Sequence, residues 1–144
     1  MDEGSGYPLR DSPRAAAMPQ FERYYTIEEA NELLPEIREI LEEVRTVRDQ
    51  LVTGWKRAEP VIRAAPTNGG GHQASDYVSD LSHLSTQLRW FAQRGILVKD
   101  IERGLVDFPA LRDGREVLLC WELAEDRVQF WHDLETGYAG RQPW

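Results

Sequence analysis

Val117-Leu-Leu-Cys-Trp-Glu-Leu-Ala-Glu-Asp-Arg-Val-Gln-Phe-Trp-His132 consists of two apolar runs with a polar turn between them. Alternation of this kind marks a β-hairpin. With Ala124 and Glu125 as a two-residue loop, antiparallel partners keep a constant sum of residue numbers, so 121 faces 128, 119 faces 130 and 117 faces 132. Val117, Leu119, Trp121, Val128 and Phe130 then form an apolar face with His132 at its rim. Leu118, Cys120, Glu122, Arg127, Gln129 and Trp131 fall on the other face. A three-residue loop would break the match, because a slip of one residue sends one strand's set to the opposite side.

Upstream of the hairpin, Ile96-Leu-Val-Lys-Asp-Ile101 and Gly104-Leu-Val-Asp-Phe-Pro109 lead into Arg112-Asp-Gly-Arg115, a turn signal. Three strands in a meander are expected, near 105–109, 116–122 and 127–132. The run from Asp133 to Trp144 has two glycines and no period, and reads as a tail laid over the sheet.

The first half of the chain has a different period. Thr26-Ile-Glu-Glu29 fits a capping box, and from there Ile27, Ala30, Leu34, Ile37, Leu41, Val44, Leu51 and Trp55 recur at helical spacing, with Arg48 the one polar residue in the stripe. Leu33, Ile40 and Val47 widen that stripe beyond a simple coiled-coil seam. Such width implies burial against two neighbours. Pro35 predicts a kink or break, and Glu59-Pro60 an end to the helix, which runs to about Arg57. Pro66-Thr-Asn-Gly-Gly-Gly71 reads as a flexible connection. Gly69 and Gly71 match a dinucleotide fingerprint only superficially, since no strand precedes them. A second helix is expected from about Ala74 to Arg94, with Tyr77, Leu81, Leu84, Leu88 and Phe91 on one stripe and Gly95 as its stop. His83 and Trp90 lie beside that stripe. The two helices should pack antiparallel.

These patterns give an α+β fold, a long antiparallel helical hairpin packed on a small three-stranded antiparallel meander. At 144 residues the chain suits one domain over 21–144, preceded by a Gly-, Pro- and Ser-rich extension over 1–20 that is expected to be disordered. Met18 is a second candidate start, because the folding information follows it. A net charge of -8 argues against a broad nucleic-acid surface. Cys120 is the only cysteine, which excludes an intramolecular disulfide and fits a reducing cytoplasm. No apolar run reaches membrane-span length, and the acidic, proline-bearing N-terminus is unlike a secretory leader.

Thr26-Ile-Glu-Glu-Ala-Asn-Glu-Leu-Leu-Pro35, Gly104-Leu-Val-Asp-Phe-Pro109, Leu119-Cys-Trp121 and Trp131-His132 through Gly137, Gly140, Arg141 and Pro143, taken together, resemble the bacterial domain-of-unknown-function family 2203. The likeness covers about Phe21 to Trp144. It departs from the family at Ala124 before Glu125, where the family pattern has a Gly-Glu turn, which bears on turn type alone. The resemblance implies a small soluble bacterial protein and supplies no activity.

Donor side chains concentrate in the sheet region: Asp107, Cys120, Glu122, His132, Asp133 and Glu135. A zinc or iron ion could be held by His132 with Asp107 and Glu135. Cys120 falls on the opposite face of the expected hairpin, so it shares a metal with His132 only if a bulge reverses one of them. The paired-cysteine and His-Glu-x-x-His signatures are missing. A mid-strand thiol between Leu119 and Trp121 reads as a small buried hydrophobe. Arg141, Trp131 and Cys120 are candidates for contact with a ligand or partner, and Arg141 could equally pin the tail through Asp or Glu side chains. Two functions fit these residues. One is a non-enzymatic interaction or scaffold module that forms a homodimer or binds a protein partner through its helices. The other is a metal- or ligand-binding protein with its site around His132; neither decides whether the chain is an enzyme.

Overall fold

Thr26 starts the first helix as its sequence predicts, its hydroxyl accepting the Glu29 amide at 3.1 Å. The reciprocal half differs, since the Thr26 hydroxyl also lies 3.3 Å from the Glu29 carboxylate. The computed structural model describes residues 18–64 and 72–144. Most of the expected N-terminal extension, the Pro66–Gly71 connection and the Gly69/Gly71 fingerprint lie outside the described residues.

Helix α1 spans Ile27–Ala64 without a break, with Pro35 and Pro60 inside it. Of the kink or break expected at Pro35, the break does not occur, and the expected end at Glu59-Pro60 is corrected. An interior proline costs about 3 kcal/mol. Leu34, Ile37, Leu41 and Val44 flank or follow Pro35 and are buried. At roughly 1.5–3 kcal/mol each, their burial outweighs the proline. Helix α2 spans His72–Gln93 and ends as its sequence predicts. Gly95 has φ +67°, its amide donates to the Ala92 carbonyl, and the Ile96 amide donates to that of Phe91. That pair of bonds is a Schellman stop, with Phe91 and Ile96 both buried beside it.

The strands are β1 (Leu97–Asp100), β2 (Leu105–Arg112), β3 (Arg115–Trp121), β4 (Phe130–Asp133) and β5 (Gln142–Pro143). They form one antiparallel meander in chain order. The class is the one the sequence implies, with two strands more. Leu97–Asp100 adds one edge, and Gln142–Pro143 turns the expected tail into the other. Asp113 and Gly114 both have positive φ and make the two-residue turn between β2 and β3. Pro109 faces Leu118 of β3 but lies past the end of β1, so β2 has no strand neighbour on that side, and the Pro109 carbonyl accepts the Tyr25 amide at 2.7 Å.

Register is where the structure departs most from expectation. Leu118 faces His132, Leu119 faces Trp131 and Cys120 faces Phe130, one residue off the pairing that a two-residue loop gives. The connection runs instead from Glu122 to Gln129. It is held by α1: the Asn31 side chain accepts the Val128 amide at 2.7 Å and donates to its carbonyl, while Arg38 donates to the carbonyls of Leu123, Glu125 and Asp126. The slip exchanges Phe130 and Trp131 between faces. Val106, Phe108, Ala110, Val117, Leu119, Trp121 and Trp131 now meet Ala30, Leu34, Ile37, Leu41, Val44 and Phe91 in one core. His132 and Phe130 join Cys120 on the side away from the helices.

Besides the Tyr25–Pro109 bond, one carboxylate ties the segment before α1 to the sheet. Glu116 accepts from the amides of Gln20 and Phe21 and from the Tyr24 hydroxyl at 2.6 Å. The Tyr24 bond holds the Glu116 carboxyl below its ordinary pKa. A carboxyl with a lower pKa folded than unfolded stabilises the fold above its unfolded value, and that stability is lost as pH falls through the folded one. Glu116→Gln should therefore melt below the parent protein at neutral pH, the gap closing as pH drops below about 4.3. Thermal melts of both proteins across that range check this, and a gap that persists unchanged in acid refutes it.

Candidate functional site

On the outer face of the sheet, Asp107 on β2 faces Cys120 on β3, and His132 on β4 faces Leu118 in the next row. All three candidate donors are buried. One ligand atom from each lies within 4.8 Å of the other two. His132 Nε2 is 3.1 Å from Asp107 Oδ2, and its Nδ1 is 2.7 Å from the Asp133 backbone carbonyl. A carbonyl only accepts, so Nδ1 carries a proton. In a neutral imidazole, Nε2 is then a lone pair aimed at a carboxylate oxygen.

The other Asp107 oxygen, Oδ1, is buried without a hydrogen-bond partner. Leaving such a group unsatisfied costs about 1–3 kcal/mol, and more if it is charged. Cys120 stands directly across the strands from it. Burial, and after it the charge of Asp107, push the thiol pKa up to about 12. As it stands Cys120 is a neutral thiol and no nucleophile.

The remaining sequence candidates separate from this group. Glu135 is exposed in the turn after β4 and stands outside the Asp107, Cys120 and His132 cluster found among the described residues. Cys120 shares a face with His132, which corrects the expectation that the two are on opposite faces. Trp131 sits in the core on the helix side, with the Arg112 guanidinium over its ring and its indole Nε1 buried without a partner. Arg141 does what a tail pin does. Its Nη2 lies 2.5 and 2.8 Å from the two Glu125 carboxylate oxygens, and the same nitrogen donates to the Cys120 carbonyl. Its guanidinium lies over the Phe130 and Tyr138 rings. Glu122 pairs with Arg103 and Asp133 with Arg115.

The family described as an uncharacterized conserved protein, DUF2203, matches residues 23–144. The chain belongs to this family. No curated protein and no solved structure matches it. Of the motifs that carry the DUF2203 likeness, Thr26 to Pro35 opens α1, and three others reach neighbouring strands and supply one buried donor each: Asp107 from Gly104–Pro109, Cys120 from Leu119–Trp121, and His132 from Trp131-His132.

The helical hairpin holds a second candidate region in this DUF2203 chain. At 38 and 22 residues, α1 and α2 are about 57 and 33 Å long. The core shared with the sheet takes no α1 residue beyond Val44. Past Leu51, Val52 and Trp55 on α1 are half exposed, as are Val78 and Leu81 on α2. Trp55 packs on Tyr77 at a ring-centroid distance of 6.0 Å. Beside that pair a groove of about 500 Å³ is lined by Asp49, Arg57, Asp76 and Asp80 among others. His83 lies by Gln87, with Glu43 3.9 Å away. No helix among the described residues is long and apolar enough to cross a membrane.

Proposed function

We propose that this DUF2203 protein is a non-enzymatic interaction module whose helical hairpin binds a second copy of the chain. The observation that supports this is the overhang. The apolar stripe of α1 continues past the part that the sheet covers, and leaves Val52 and Trp55 next to solvent with Val78 and Leu81 of α2. Two hairpins packed through these residues would make a four-helix bundle over the end of the hairpin that the sheet leaves uncovered. A two-fold arrangement makes the same patch serve both copies. The groove beside it carries Arg57 with Asp49, Asp76 and Asp80, so its rim offers both signs of charge to the copy opposite.

Sedimentation equilibrium at tens of micromolar tests the reading. A dimer is expected, and Trp55→Lys should weaken it at least about tenfold, since ~1.4 kcal/mol of lost apolar burial suffices for that. Trp55 is half exposed in the single chain, so the thermal midpoint of the variant should stay within a few degrees of the parent's when both are monomeric. A parent protein that sediments as a monomer overturns the proposal.

A further inference from the structure

We infer that Asp107, Cys120 and His132 form a binding site for one divalent late first-row transition ion, with zinc the ion that the donor set fits best. The inference is independent of the hairpin and concerns the opposite face of the sheet.

Three features of the group point to a cation. The first is the direction of the His132 lone pair. With Nδ1 donating to the Asp133 carbonyl, the other ring nitrogen, Nε2, faces the Asp107 carboxylate oxygen Oδ2 across 3.1 Å. A proton shared there makes a hydrogen bond, and a metal ion in its place would be held by the same two atoms. A histidine ligand whose other ring N–H donates to a backbone carbonyl is also how metal sites fix tautomer and ring orientation. The second is the unpartnered Asp107 Oδ1, on a side chain that is almost wholly buried. The Cys120 thiol, which interacts with the Asp107 carboxylate, is only a weak donor against that loss of water. The third is spacing. Two donors on a tetrahedral zinc, each about 2.0–2.2 Å from the ion, stand roughly 3.4 Å apart. The histidine and aspartate atoms are near that separation already, and the thiol has only to close in from within 4.8 Å.

The donor types decide which ion. A thiolate beside an imidazole suits zinc and its neighbours, whereas magnesium and calcium take oxygen ligands. Charge agrees. On binding, the Cys120 S–H loses its proton to solvent, and the thiolate, the Asp107 carboxylate and the neutral His132 ring then surround a doubly positive ion. The sum is zero, and a buried centre of zero net charge avoids the cost of an isolated charge in the interior. Three protein atoms leave a fourth position of a tetrahedral ion for water or a ligand atom.

The test uses full-length protein without an affinity tag, stripped by chelator and refolded with and without metal. Zinc and cobalt titrations should each saturate at one equivalent. Cobalt should add the near-ultraviolet absorption of a thiolate-to-metal transition, and zinc but not magnesium should raise the thermal midpoint. Asp107→Asn and Cys120→Ala are the deciding variants. In Asp107→Asn the amide can donate to the His132 lone pair, so the metal-free fold survives while the ligand is lost. Cys120→Ala removes a single buried atom. Each should weaken binding by more than the roughly 10–100-fold typical of an outer-shell change, and Cys120→Ala should abolish the thiolate absorption. Parent protein that takes up no stoichiometric zinc or cobalt overturns the site. Binding that survives in both variants overturns it too, because the ion is then elsewhere.

Discussion

Asn31→Ala is expected to destabilise the protein by about 3 kcal/mol, although it removes only a short side chain from a helix. Asn31 makes both hydrogen bonds to the Val128 backbone, accepting the amide and donating to the carbonyl, and it donates to the Ile27 carbonyl of its own helix as well. Val128 is buried in the core. Alanine would leave a buried N–H and a buried C=O unpartnered, at about 1–3 kcal/mol each, less whatever water reaches them. Alanine's better helix propensity returns only a few tenths of a kcal/mol. For a chain of this size the loss corresponds to roughly 6–12 °C in melting temperature. Thermal or urea unfolding reads it, and a change below about 1 kcal/mol would mean that Asn31 does not hold the connection.

The same contact explains which parts of the fold were legible from sequence. Helix starts and stops are local: the Thr26 cap, the Gly95 stop and the Asp113-Gly114 turn need only a few neighbouring residues, and each is where the sequence puts it. The switch from helical spacing to alternation is also local, so the fold class follows from it. The register of β3 and β4 is not local. It depends on Asn31 and Arg38, some 90 positions away in the chain, drawing the connection into a loop that a two-residue turn cannot make. With a one-residue slip, Trp131 and Phe130 change places and Cys120 comes round to His132. His132 and Asp107 were recognisable as partners from donor chemistry, whereas the third donor depended on register. One signal was present: an odd-numbered shift buries Trp131, the larger aromatic, with Val117, Leu119 and Trp121. Continuity of α1 through Pro35 was hidden for a related reason, because tertiary burial outweighs a local propensity.

The two buried tryptophans of the sheet should respond unequally to the same substitution. Trp121→Ala should give the largest loss of any single core change considered, at least about 3–5 kcal/mol. Trp121 is fully buried on β3, its indole N–H donates to the Glu125 carbonyl at 3.0 Å, and the Arg38 guanidinium lies over its ring. Trp121→Phe keeps most of the apolar contact but removes that donor, which leaves the carbonyl with only its Arg38 bond and opens a small cavity. It should cost about 2 kcal/mol. Trp131 has a similar volume and lies in the same core, yet its indole N–H is buried without an acceptor. In Trp131→Phe the cavity cost is therefore offset by removal of an unsatisfied donor, whose penalty is of the same order, about 1–3 kcal/mol. The net change is expected within about 1 kcal/mol of zero. Urea unfolding of the two phenylalanine variants, followed by far-ultraviolet circular dichroism so that tryptophan loss does not alter the probe, separates them. Equal losses would show that the Trp131 N–H has an acceptor after all, and that hydrogen bonding does not distinguish the two positions.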